Sequence, residues 1–141
     1  MADTVTLDVV GPRSPDYTAR VARAFAECVQ VLNHATAAPD GIGHAGVAQD
    51  VLGSLHQAMA GLPQLFGQLG RWLQGARETG VLAPAADVAA ADVADAVAAV
   101  TEALDWAEIQ IGTVTDSLYD AQRAILGLHS PGAGGSAGPA Q

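Results

Sequence analysis

The stretch VADAVAAVTEALDWAEIQIGTVTDSLYDAQRAILGL, residues 93–128, carries apolar side chains at alternating steps of four and three residues. The series comprises Val93, Val97, Val100, Leu104, Ala107, Ile111, Val114, Leu118, Ala121, Ile125 and Leu128. A repeat of this kind keeps one stripe of a helix facing its neighbour when the two helices cross at about 20°. The stretch therefore predicts one long C-terminal helix, over about 86–127, that packs against other helices.

Two earlier segments carry the same spacing. Ser14-Pro15-Asp16 is typical of a helix start, with serine as the N-cap and proline in the first turn, and it predicts a helix over about 15–37. A second helix is predicted over about 45–79, with Gly80 as its expected C-terminal cap. This helix is expected to be kinked or broken at Pro63, because proline removes a backbone donor and crowds the preceding turn.

Apolar residues of the second predicted helix form two neighbouring rows. The first row comprises Val51, Leu55, Ala58, Leu62, Leu65, Leu69, Trp72 and Ala76. The second row comprises Leu52, Met59, Phe66 and Leu73. Three segments with a shared heptad pattern predict an all-α fold, an antiparallel three- or four-helix bundle with heptad-type packing over residues 14–128.

The two ends of the chain lack this heptad pattern. Residues 4–10, TVTLDVV, alternate in polarity and predict a short strand or extended arm within residues 1–13. Residues 129–141, HSPGAGGSAGPAQ, have too little apolar content to form a core and predict a disordered tail. The chain has neither a membrane-spanning apolar stretch nor a secretory signal pattern, and the cytoplasm is its expected location.

The charge balance and the absence of catalytic motifs limit the possible functions. The 141 residues carry a formal net charge of −9, which disfavours direct nucleic-acid binding and binding to anionic membranes. No paired-histidine metal motif, nucleophile arrangement or phosphate-binding loop is present. We therefore expect no enzymatic activity, no cofactor and no bound metal.

Apolar residues outside the main series are the candidates for association. The candidate interaction residues are Trp106, Ile109 and Tyr119 on the long helix and Val5, Leu7 and Val9 on the arm. An apolar residue among acidic ones either packs under a further helix or forms a patch for a partner. On the second interpretation the chain is a homo-oligomer, with a dimer favoured, or binds another protein.

Two functional classes remain open besides a helical interaction or assembly protein. The first is an acidic inhibitor that mimics nucleic acid on a DNA-binding protein, which the net charge of −9 suggests. The second is a secreted helical effector, and it depends on a family resemblance described next.

Two resemblances concern the middle of the chain. Residues 31–73, VLNHATAAPDGIGHAGVAQDVLGSLHQAMAGLPQLFGQLGRWL, resemble small helical proteins of actinobacteria with an LNHAT-like helix end and an LPQLL-type step. This resemblance implies a source, associated with mobile elements, and it carries no information about mechanism.

Secreted WXG100-type hairpins are similar in having a Trp-x-Gly turn and a C-terminal Tyr-x-x-x-acid signal. Here Trp72-Leu73-Gln74-Gly75 is one residue longer, and Arg123 stands at the acidic position after Tyr119.

Overall fold

The computed structural model describes residues 7–11, 13–84 and 90–128, and this part of the chain contains three α-helices and no strand. The helices are α1 (Pro15–Ala37), α2 (Ala45–Glu78) and α3 (Ala90–Ile125). The predicted all-α class is therefore confirmed for the described residues. The chain divides into two compact units, and the division in the sequence falls between Gly43 and His44.

Helix α1 begins as the sequence predicts. The Ser14 hydroxyl accepts a hydrogen bond from the Tyr17 backbone N–H at 3.2 Å, and Ser14 has extended dihedral angles. This bond satisfies one of the donors that the first turn of a helix leaves without an internal partner. No residue of α1 is buried, and Phe25 and Val31 are among its exposed side chains.

A turn at residues 8–11 occupies the described end of the segment for which the sequence predicts a strand or extended arm. The Val10 N–H donates to the Asp8 carboxylate at 2.9 Å, and the Gly11 N–H donates to the Asp8 carbonyl at 3.1 Å. A Cβ at Gly11 would lie 2.9 Å from the Asp8 Cβ, so the turn requires glycine. Residues 8–11 turn because the aspartate side chain captures a backbone donor that a strand would use, and the arm over the residues before them stays a prediction. Val5 lies outside the described residues.

Helix α2 is continuous through Pro63 and is not broken there. It ends at a left-handed glycine, Gly80, whose φ is +70°. The Gly80 N–H donates to the Arg77 carbonyl at 3.2 Å, and the Val81 N–H donates to the Ala76 carbonyl at 2.9 Å. These two bonds satisfy the last carbonyls of the helix, as a Schellman-type ending does.

Helices α2 and α3 form an antiparallel hairpin within the unit that begins at His44. A Cβ at Gly53 would lie 2.9 Å from the Gln122 amide nitrogen, and a Cβ at Gly70 would lie 4.0 Å from the Thr101 methyl carbon. The start of α2 therefore meets the end of α3, and the end of α2 meets the start of α3. Ala76 and Val97 are the buried apolar side chains among the described residues.

The face of α3 that meets α2 differs from the predicted series. Val97, Leu104 and Ile111 are buried or half-buried, whereas Val100 and Val114 are exposed. Thr101, Thr115 and Gln122 are the half-buried residues beside the exposed positions. The hydroxyls of Thr101 and Thr115 donate to the carbonyls four residues earlier, at 2.9 and 2.7 Å, so the methyl groups can pack without an unpaired donor.

Candidate functional site

An exposed apolar stripe lies on the C-terminal half of α2. Leu65, Leu69 and Trp72 follow one another at steps of four and three residues, so they share one side of the helix. About half of each side chain is exposed, with 45% for Leu69 and 58% for Trp72. All three belong to the first apolar row, while the second row, Leu52 to Leu73, is half-buried.

Helix α3 has exposed apolar residues on the same edge of the hairpin. Gly70 and Thr101 face each other, and Leu69 and Val100 each lie one residue earlier, about 100° around the helix axis. In an antiparallel pair, one step back along either helix turns toward the same side. Leu69 and Val100 therefore share an edge. We define the open edge as Leu65, Leu69 and Trp72 on α2 with Val100, Ala103 and Val114 on α3.

An apolar pocket of about 280 Å³ lies where the open edge approaches the loop after α2. It is lined by Leu73 of α2, by Leu82, Ala83 and Pro84 of the loop, and by Asp92, Val93, Ala96, Val97 and Val100 of α3. Val100 belongs to both the pocket and the open edge. The exposed apolar surface is therefore continuous from the middle of the hairpin to the loop.

The opposite edge of the hairpin, which we name the His56 edge after its ring contact, is polar. The His56 ring lies 5.9 Å from the Tyr119 ring, and the Arg123 guanidinium lies 5.9 Å from the centre of the same tyrosine ring. Further toward the loop, a groove of about 470 Å³ follows this edge. It is lined by Gln74, Arg77, Glu78, Val97, Ala98, Thr101, Glu102 and Asp105. Apolar and polar surfaces are thus separated on the two edges of one hairpin.

The interaction residues predicted on α3 are exposed but do not form one patch. Trp106 is 60% exposed and follows Ala103 by three residues, so it borders the open edge. Ile109 is exposed beside Asp105, away from α2. Tyr119 belongs to the His56 edge, where its ring already has a neighbour.

The predicted residues of the arm belong to the other unit. Leu7 and Val9 are exposed, on either side of Asp8 in the turn before α1. The described residues contain no group of three or more His, Cys, Asp or Glu side chains that could hold a metal ion. The described helices also include none that is long and apolar enough to cross a membrane.

Leu65, Leu69 and Trp72 were predicted as packing residues and not as a site. In the sequence, the first row resembles the buried packing face of α2, because it is longer than the second row. A pattern search that counted the rows separately could have found them, since one helix contact uses one row and leaves the other without a partner.

The helical sequence Trp72-Leu73-Gln74-Gly75 lies inside α2, and the turn after α2 begins beyond it, at Thr79.

Comparisons with known proteins add no family. No protein-family model matches the chain, and no curated protein or solved structure matches it.

Proposed function

We propose that this chain is a non-enzymatic interaction or assembly protein that acts by helix–helix association, with a second copy favoured over another protein as the partner. The observation that carries the proposal is the half-exposed stripe of Leu65, Leu69 and Trp72. Exposed tryptophan and leucine in one stripe are typical of association surfaces. Trp106 contributes from the border of this surface, whereas Ile109 lies farther around α3.

The thin interior of the hairpin supports association. Ala76 and Val97 are its buried apolar side chains in the described part, and both are small or medium in volume. A helix pair with so little buried apolar surface gains stability when another helix covers its exposed row.

The single cysteine, which has no partner for an internal disulfide, supports the cytoplasm as the location.

A pair of charge substitutions on α2 tests the proposal. Leu69→Asp adds a carboxylate to the open edge, whereas the control Gln74→Asp adds the same charge to the His56 edge. Sedimentation equilibrium should show the dissociation constant of self-association raised by about 100-fold for Leu69→Asp and little changed for the control. Circular dichroism checks that both variants stay helical. Equal association of the two variants would contradict the proposal.

The acidic surface of α3 favours one alternative function. Its acidic side chains are all exposed, and none is among the six residues of the open edge, although Asp92 lines the adjoining pocket; they are Asp92, Asp95, Glu102, Asp105, Glu108, Asp116 and Asp120. An inhibitor that mimics nucleic acid would bind a basic protein through these carboxylates. Such binding weakens steeply with added salt, and salt-insensitive binding would exclude the mimic of nucleic acid.

A secreted WXG100-like effector is the remaining alternative, and it predicts that the protein is found in the culture supernatant.

A further inference from the structure

The hairpin face that contains the open edge carries no charged side chain among its described residues, apart from Asp92 in the adjoining pocket. On this face the first apolar row of α2 continues beyond the open edge, as half-buried residues toward Val51 and as the buried Ala76. The α3 positions on the same face are all uncharged; they are Val93, Ala96, Val100, Ala103, Ala107, Gln110, Val114, Ser117 and Ala121. The other acidic side chains of α3 lie elsewhere around the helix. In a protein of net charge −9, two copies repel each other least when they associate through this uncharged face.

The hairpin face that contains the open edge has the size of another hairpin of the same length. Helices of 34 and 36 residues extend over about 50 Å, and two of them side by side present a face about 20 Å wide. Such a face has an area of roughly 1,000 Å², and a stable specific interface buries about 800 Å² on each partner. A helix of 23 residues, the length of α1, extends over only about 35 Å and is therefore shorter than this face.

The unequal charges of the two helices determine how the copies stack. Helix α2 carries two acidic and two basic residues, whereas α3 carries seven acidic residues and one basic residue. Stacking α3 on its own copy would bring two strongly acidic helices together, and stacking α2 on α3 avoids this repulsion. A twofold axis parallel to the helices places α2 of each copy on α3 of the other. All neighbouring helices in this bundle are then antiparallel.

We infer that the open edge binds a second copy of this chain, with α2 of each copy covering α3 of the other in an antiparallel four-helix bundle. This inference depends on the proposed function and specifies its surface and partner. Rotation about an axis parallel to the helices preserves each residue's level along the bundle. Because Gly70 and Thr101 are level within one hairpin, Leu69 of one copy lies over Val100 and Ala103 of the second copy.

Cross-linking between two differently substituted chains tests this arrangement. Both chains carry Cys28→Ser, since Cys28 is a free and exposed thiol. One chain also carries Leu69→Cys and the other Ala103→Cys, and the mixture is treated with a short bismaleimide. The matched control mixes Gln74→Cys with Ala98→Cys, which are located on the His56 edge. Denaturing gels separate the mixed product when one chain carries a larger tag.

Each outcome distinguishes the inference from the proposed function. We expect the mixed Leu69→Cys and Ala103→Cys product to dominate over both self-products, with no product from the control pair. A dimer that cross-links through Leu69→Cys alone, or through the control pair, would overturn the arrangement and leave self-association standing. A monomer at every concentration in the same samples and in the unsubstituted chain would overturn both.

Discussion

The ring of His56 on α2 lies 5.9 Å from the ring of Tyr119 on α3, with the two planes inclined by 43°. This tilted contact joins the first half of α2 to the last third of α3, so it records the antiparallel direction of the hairpin. It also marks the polar edge, because the Arg123 guanidinium approaches the same tyrosine ring. The apolar residues of the open edge lie on the other side of both helices.

We expect Tyr119→Ala to destabilise the hairpin and Tyr119→Phe to leave it close to the unsubstituted protein. Aromatic contacts of this kind contribute about 0.5–1.5 kcal/mol, and phenylalanine retains the ring. Urea unfolding followed by circular dichroism measures the free energy of unfolding at a fixed protein concentration. Equal losses for the two variants would show that the ring contact with His56 contributes nothing.

Two glycine substitutions should change stability in opposite directions. Gly80 has a φ of +70°, so Gly80→Ala forces alanine into a strained conformation and should cost about 1 kcal/mol. Gly112 lies within α3, and a Cβ there meets nothing within 4 Å. Gly112→Ala should therefore stabilise the helix by about 0.5–1 kcal/mol. Thermal unfolding of both variants tests the pair, and a stabilising Gly80→Ala would contradict the assigned helix ending.

Removal of the Ser14 cap should loosen the start of α1. Ser14→Ala removes the hydroxyl that accepts from the Tyr17 N–H, and the loss of such a cap costs about 1 kcal/mol. Hydrogen exchange at the Tyr17 amide should become faster in this variant. Ser54→Ala, an exposed serine within α2, is the control and should leave that amide unchanged. Unaltered exchange in Ser14→Ala would argue against the cap.

The double variant Trp106→Ala/Ile109→Ala should weaken self-association by about tenfold, or 1.4 kcal/mol. Most of this loss should come from Trp106, which borders the open edge next to Ala103. Single variants separate the two contributions by sedimentation equilibrium. If the double variant associates as strongly as the unsubstituted chain, neither residue belongs to the interface.

Local signals in the sequence predicted much of the fold. The Ser14 cap and the left-handed Gly80 depend on short-range geometry that one or two residue types determine, and both are present. The residues just before α1 were harder to predict, because alternation in TVTLDVV indicates a strand or extended arm, while the Asp8 side chain forms a turn at residues 8–11 by capturing the Val10 N–H.

The facing rows of the hairpin could not be predicted from apolarity alone. Thr101 and Thr115 count as polar in a heptad pattern, yet their hydroxyls bond to their own helix and their methyl groups are free to pack. The face of α3 is therefore rotated away from Val100 and Val114. The candidate site was partly missed for a related reason, since a long apolar row in α2 is equally consistent with an interior and with an exposed surface.

The measurement that tests the central claim most directly is the absolute mass of the unsubstituted chain by light scattering on a sizing column across a concentration series. Self-association through the open edge predicts a mass that rises toward twice the 14.2 kDa of one chain as concentration increases. A mass of 14.2 kDa at every concentration would contradict the account.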